Sequence, residues 1–261
     1  MKSKIYTCIC VIIYLALTVF GGVLFTLYVM PSRVEDAATA ACVIGYILLA
    51  VVGLLCADVL HECAHFLVGL CCSMGVKMPK IKLFSSSSVS INPRGAKHIK
   101  GRMIATTCAG LAVNLIVIAF CIADIVLHGY DCLIFAWLAA PSVYIFLLNV
   151  APFEYNGGST DGLVLWQLIS RQPSSLVMLA ILKVQGQVNC GTLLKDIDES
   201  WLFDVPQLPE DDINFIILTR LRYEYFIAKD DDKRALEYYN RFNQLVQYLP
   251  EEYLKDIKKD N

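Results

Sequence analysis

The chain has 261 residues, of which 57% are hydrophobic and 18% charged, with a mean hydropathy of +0.56 and a formal net charge of -2. This is too apolar for an ordinary water-soluble domain, whose apolar share is nearer half, so the composition describes a membrane protein. A nucleic-acid partner is not suggested, since no basic face accompanies a binding module, and an odd total of 11 cysteines, most inside apolar runs, implies no disulfide framework.

Ile5 to Met30 carries no charge and follows Lys2 and Lys4. It exceeds the roughly 20 residues that a bilayer core requires. It lacks the short apolar core and small-residue cleavage site of a removable signal, so it reads as an uncleaved first span. A loop with Arg33, Glu35 and Asp36 leads into a second apolar run, almost uncharged from Ala37 to Met74. That run is longer than one crossing and is expected to tilt, to kink near Gly53 or to protrude.

The second half of this run contains His61-Glu62-Cys63-Ala64-His65. Residues four apart share a helix face, so His61 and His65 present two imidazoles to one metal ion with Glu62 beside it. Ionisable groups are costly in an apolar helix unless they are partnered, and a divalent cation is the simplest partner. The alternative is a buried histidine pair hydrogen-bonded to backbone or to Asp58, one turn earlier. A third ligand from elsewhere in the chain decides between them.

From Cys72 to Arg102 there are seven Lys or Arg residues (77, 80, 82, 94, 97, 100 and 102) and no acid. Basic loops are retained on the cytoplasmic side, which puts the N-terminus inside, the first loop outside and the histidine motif nearer the cytoplasm. Within this stretch Ile81 to Asn92 alternates weakly up to Pro93-Arg94-Gly95, the pattern of a small cytoplasmic β-hairpin; a plain serine linker is the alternative.

Met103 to Leu127 and Cys132 to Ala151 read as third and fourth spans, made antiparallel neighbours by His128-Gly129-Tyr130-Asp131. Four crossings return the chain to the cytoplasm, where the C-terminus also lies. The turn-rich segment Phe153 to Gly162 delivers Asp161 to the start of an apolar helix over Leu163 to Ile169. Asp161 is the candidate third ligand; the alternative is an acid that favours the macrodipole of the helix it opens.

Beyond Arg171, Ser174 to Val184 is amphipathic and is expected on the membrane surface or against the spans. After Pro206 and Pro209 come two soluble helices, Asp211 to Ala228 and Asp232 to Leu249, with the small and aromatic spacing of one tetratricopeptide unit or of a generic helical hairpin. A single such hairpin cannot bury its apolar face alone, so it is expected to dock on the membrane domain, a second copy or a cytoplasmic partner. The expected fold is mainly α: a polytopic membrane protein with about four transmembrane helices. Residues 1–36 form the first helix and outer loop, 37–170 the membrane core, 171–205 an amphipathic helix and linker, and 206–261 the soluble C-terminal hairpin.

Three separated features occur in one order: His-Glu-x-x-His at 61 to 65, Gly110-Leu-Ala-Val-Asn114, and Asn149-x-x-Pro152 followed by Asp161-Gly162. Together they resemble the site-2 protease family of intramembrane zinc metalloproteases, over about residues 37 to 170. The resemblance implies that His61, His65 and Asp161 bind Zn2+, that Glu62 activates the attacking water, and that Asn114 and Asn149 line the site, where a side-chain amide would face the oxyanion. It implies a multi-pass protein of the cell membrane that cuts transmembrane or signal-peptide-like substrates, and the compact form looks bacterial. The sequence departs from the family in two places. Leu111 stands where the pattern has proline, and the interval from Asn149 to Asp161 is longer than in Asn-x-x-Pro-x-x-x-x-Asp-Gly. No PDZ or CBS module is recognisable, and the acidic hairpin takes their place. Two competing readings are a non-catalytic membrane protein that binds metal or transmembrane helices in the same pocket, and an interaction protein whose soluble hairpin does the main work.

Overall fold

The computed structural model describes residues 2–29, 36–78, 91–128, 136–155 and 158–249, and it is mainly helical. Uninterrupted apolar sequence with no internal proline produces three long helices, α1 (Lys2–Val29), α2 (Asp36–Cys71) and α3 (Ile99–His128). All three are long and apolar enough to cross a membrane. Their outward faces carry exposed large hydrophobics such as Ile12, Phe20, Leu48, Ile116 and Val126. Such a surface is stable against lipid rather than water.

Where a fourth span is expected, the described residues form a shorter apolar helix, α4 (Ala139–Val150), entered through a 3-10 turn at Ala136–Leu138. Twelve residues rise about 18 Å, less than the roughly 30 Å of a hydrocarbon core. Residues 129–135, where that span was expected to begin, lie outside the described residues. Helix α4 packs on α1 and α2. Helices gain no hydrophobic drive from each other in lipid, so they rely on close approach and on hydrogen bonds between them. Both are present: Gly53 of α2 receives Trp137 and Pro141, where an added Cβ would lie 2.8 Å from the Trp137 ring. Tyr6 donates to the Leu147 carbonyl at 2.7 Å and Tyr14 to the Ala50 carbonyl at 3.1 Å. Gly53 thus serves packing, and α2 runs through it as one helix.

The contacts divide the chain into two compact units. The first holds the residues up to Cys72 together with Lys77–Ser90 and Ala105–Trp166, and so contains every candidate site residue. The second joins Ser73–Val76, Ile91–Ile104 and the chain from Gln167 onward. Its helices are α6 (Pro173–Val188), the single turn α7 (Ser200–Phe203), α8 (Ile213–Ala228) and α9 (Asp232–Leu245). The two soluble helices therefore start within two residues of the expected positions.

Helix α6, the expected amphipathic stretch, is covered on two sides. Val177, Ile181 and Val184 join Leu202, Phe215, Ile216, Leu218 and Tyr225 in one core. On another side Gly186 lets the backbone of Gly95 approach, its carbonyl accepting from Gly95 N–H at 2.8 Å; a Cβ on Gly186 would lie 2.6 Å from the Gly95 oxygen. The C-terminal hairpin thus shares its core with α6 and α7 rather than standing alone.

The two ends of the basic segment are also built into this unit. Asn92 N–H donates to the Met74 carbonyl and Arg94 N–H to that of Ser73, both at 3.0 Å, with Gly75 at φ +57 where the Asn92 carbonyl comes closest. The Arg102 guanidinium donates to the carbonyls of Ser73, Arg94, Gly95 and Lys97. Residues 79–90, most of the expected hairpin over Ile81 to Asn92, lie outside the described residues. Among the described residues the one strand pair is elsewhere, β1 (Glu154–Tyr155) antiparallel to β2 (Gly158–Ser159).

Candidate metal centre

Helix α2 turns His61, Glu62 and His65 inward, with side chains 3%, 6% and 8% exposed in chain order. One helical turn separates the two imidazoles, whose rings meet edge to face at 4.7 Å between centroids. Helix α3 closes over them where it has no side chain. A Cβ at Gly110 would lie 2.6 Å from His61 Cε1 and 2.7 Å from His61 Nε2, and nearer still to His65 Nε2. Only glycine fits there, because any other residue would occupy the space between the imidazoles.

The same helix fixes the rings from behind. His65 Nδ1–H donates to the Thr106 carbonyl at 2.7 Å, which leaves the Nε2 lone pair of a neutral ring pointing inward. Asn114, fully buried, places its amide 2.9 Å from His61 Nδ1. That contact lies on the side of the ring away from Nε2. The amide therefore addresses the back of a ligand and not the space in front of it.

The third group arrives on α5 (Asp161–Ile169), which begins at Asp161. Thr160 holds this start: its hydroxyl donates to the Ala151 carbonyl at 2.6 Å and accepts from Leu163 N–H at 3.3 Å, while its own N–H reaches the Phe153 carbonyl at 3.2 Å. Gly162 allows the turn to pass against the Val150 carbonyl, where a Cβ would collide. The long interval between Asn149 and Asp161 is thereby absorbed as the β1–β2 hairpin, and Ala151 and Thr160 stand side by side at its base.

Asp161 Oδ2 consequently lies 3.1 Å from His61 Nε2 and 3.2 Å from His65 Nε2, and the two Nε2 atoms are 3.1 Å apart. Burial acts to raise the Asp161 carboxyl, and the two imidazoles outweigh it, holding the group below its ordinary value. Three atoms whose lone pairs converge at these distances repel one another unless a proton or a cation stands among them. Ligands about 2.0 to 2.1 Å from a tetrahedral ion are about 3.3 to 3.4 Å apart, so the triangle matches a metal site with two nitrogen donors and one oxygen donor. His61, His65 and Asp161 are a group that can hold a metal ion.

Glu62 is buried beside this triangle, within electrostatic reach of both histidines, Asp58 and Asp161, and its Oε2 has no hydrogen-bond partner. Asp58 is half-buried one turn earlier on α2. Asn149 is half-buried on α4, where its amide donates to the Ile145 carbonyl at 3.1 Å, one turn back on its own helix.

Of the six residues singled out in the sequence, His61, His65, Asp161, Glu62 and Asn114 come together, and Asn149 is engaged by its own helix. Three further residues contribute that sequence reasoning left without a role. Gly110 was visible only as part of a motif, and Thr160 had the signal of a helix-capping threonine before Asp-Gly. Thr106 acts through its backbone carbonyl, which no side-chain pattern reveals. No family model, no curated protein and no solved structure matches this chain.

Proposed function

We propose that the chain is an intramembrane zinc metalloendopeptidase, similar to the site-2 proteases, that cuts single-span membrane proteins or signal-peptide-like remnants. The observation that carries this reading is the meeting of three converging ligand atoms with a buried carboxylate that has an unpartnered oxygen. A purely structural histidine pair has no use for the second feature, since an unsatisfied buried carboxylate destabilises the fold.

In this reading His61 and His65 through Nε2 and Asp161 through Oδ2 would hold the ion. When bound, zinc supplies Lewis-acid chemistry: it acidifies water and polarises a carbonyl. Glu62 takes the proton of the attacking water on its free oxygen, holds it in the buried site, and passes it to the departing amine. Thr106 and Asn114 keep the imidazoles oriented, and Gly110 keeps the space in front of them clear. A substrate helix has to unwind before its carbonyls are accessible, because its own hydrogen bonds and side chains shield them.

The three spanning helices support a multi-pass membrane protein. The basic segment from Cys72 to Arg102 favours the cytoplasmic side for both termini, with the C-terminal unit available to a cytoplasmic partner or a second copy. The test is Glu62→Gln, which keeps charge-free shape at the same position. The expected result is unchanged zinc content with cleavage reduced by about three orders of magnitude or more. Cleavage at the wild-type rate would favour the non-catalytic reading of the same pocket.

A further inference from the structure

Asn114 is completely buried within α3; its Nδ2 meets His61 Nδ1 at 2.9 Å and its Oδ1 has no hydrogen-bond partner, so placing Oδ1 against the ring takes a half turn of the amide from this orientation. An aliphatic side chain would fill such a place in an apolar helix without leaving half an amide unsatisfied, so the single contact with the imidazole is what the amide is there to make. His61 has two nitrogens and, when neutral, one proton. For Nε2 to offer a lone pair to the ion, that proton has to sit on Nδ1, and Nδ1–H then needs an acceptor.

The neighbouring ring shows the arrangement: His65 Nδ1 faces a backbone oxygen, that of Thr106, at 2.7 Å. Among the described residues, the partner at the corresponding nitrogen of His61 is the Asn114 amide. The oxygen and nitrogen of an amide exchange places by a half turn about the Cβ–Cγ axis, with little change in shape. With Nδ2 toward the ring, the amide donates to a bare Nδ1 and leaves the proton on Nε2, facing Asp161. With Oδ1 toward the ring, it accepts from Nδ1–H and frees Nε2 for the metal.

From this we infer that Asn114 is a positioning residue that selects the Nδ1–H tautomer of His61 by turning its Oδ1 to that ring, and that it does not act on the oxyanion. The inference rests on the metal-centre reading given above. It separates from that reading by experiment, because it concerns how tightly and through which nitrogen the ion is held.

The experiment uses the full chain in detergent or nanodiscs with Glu62→Gln in the background, so that no turnover is involved. Zn2+ affinity is measured by competition with a chelator for Asn114, Asn114→Leu and Asn114→Asp. The leucine is nearly the same size and accepts nothing, so affinity should fall about 10- to 100-fold; the aspartate still accepts from Nδ1–H and should retain most of the affinity. Equal affinity in all three, or an equal loss in both variants, would overturn the inference while leaving a metal site in place. A parent chain that binds no Zn2+ would remove the metal reading and this inference with it. A measurement that needs no variant uses 15N-labelled histidine, of which the chain has 4. In the zinc-loaded parent the His61 signals should show a proton on Nδ1 and the metal on Nε2, and the reverse assignment would overturn the proposal.

Discussion

The chemistry of this chain is concentrated in a few side chains whose types are improbable in their surroundings. His61, Glu62 and His65 stood out in the sequence because polar groups at helical spacing in an apolar run have to be compensated. Their mutual geometry was legible for the same reason, since four residues of helix fix two imidazoles on one face. What closes the site was not legible. Gly110 has no side chain to attract notice, and its role depends on how near α3 runs to α2. Gly110→Ala should lower zinc affinity by about 10- to 100-fold, because the new methyl group would have to displace one of the two imidazoles. Chelator competition on the purified variant checks this. Wild-type affinity in Gly110→Ala would mean that α3 can move away at no cost to the site.

At the scale of elements, the start of α5 decides where Asp161 stands. The turn residues from Phe153 to Gly162 announced an irregular link, but not that it would fold back as β1 and β2 and so bring Ala151 and Thr160 together. Thr160→Ala removes a helix cap and the bond to the Ala151 carbonyl. It should cost about 1 kcal/mol of stability and weaken zinc binding as Asp161 loses its fixed position, while Thr160→Ser should keep both. Unfolding midpoints and metal titration together separate a lost cap from a lost ligand; identical behaviour of the alanine and serine variants would contradict this role for the hydroxyl.

Helix α9 offers an independent check on how local sequence signals become structure. Asp231 caps it, accepting from the backbone N–H of Arg234 at 3.0 Å and from its guanidinium at 2.6 Å. Those two contacts, the backbone one first, hold its carboxyl below the ordinary value. A group whose pKa is lowered on folding adds stability that is fully present above its unfolded value, about 3.9, and that is lost as pH falls through the folded one. Asp231→Asn should therefore flatten the dependence of the unfolding midpoint on pH below about 4, and an unchanged slope in that range would contradict the assignment. The apolar stripe of α6 is legible in the sequence, but the approach of the Gly95 backbone to another side of the helix at Gly186 is not, because a glycine carries no pattern.

On the scale of the whole molecule, apolar composition already separated a membrane part from a polar remainder. The division by contacts splits the basic segment and places its two ends, Ser73–Val76 and Ile91–Ile104, with the C-terminal helices, where Gly95 bonds to Gly186 and Asn189 to Asn92 and Pro93. The hairpin, which cannot bury its apolar face alone, shares one core with α6 and α7. The membrane unit, by contrast, contains the entire candidate centre, so its activity in the proposed reading depends on a convergence of α2, α3 and α5 within one compact body.

That convergence is tested most directly by the zinc content of the purified chain and of Asp161→Ala after the same brief exposure to a chelator. One Zn2+ per chain is expected in the wild type and little in the variant, since two imidazoles from a single helix turn hold the ion far less tightly than the complete triangle. A wild-type chain without metal, or a variant that retains as much zinc as the wild type, would contradict it.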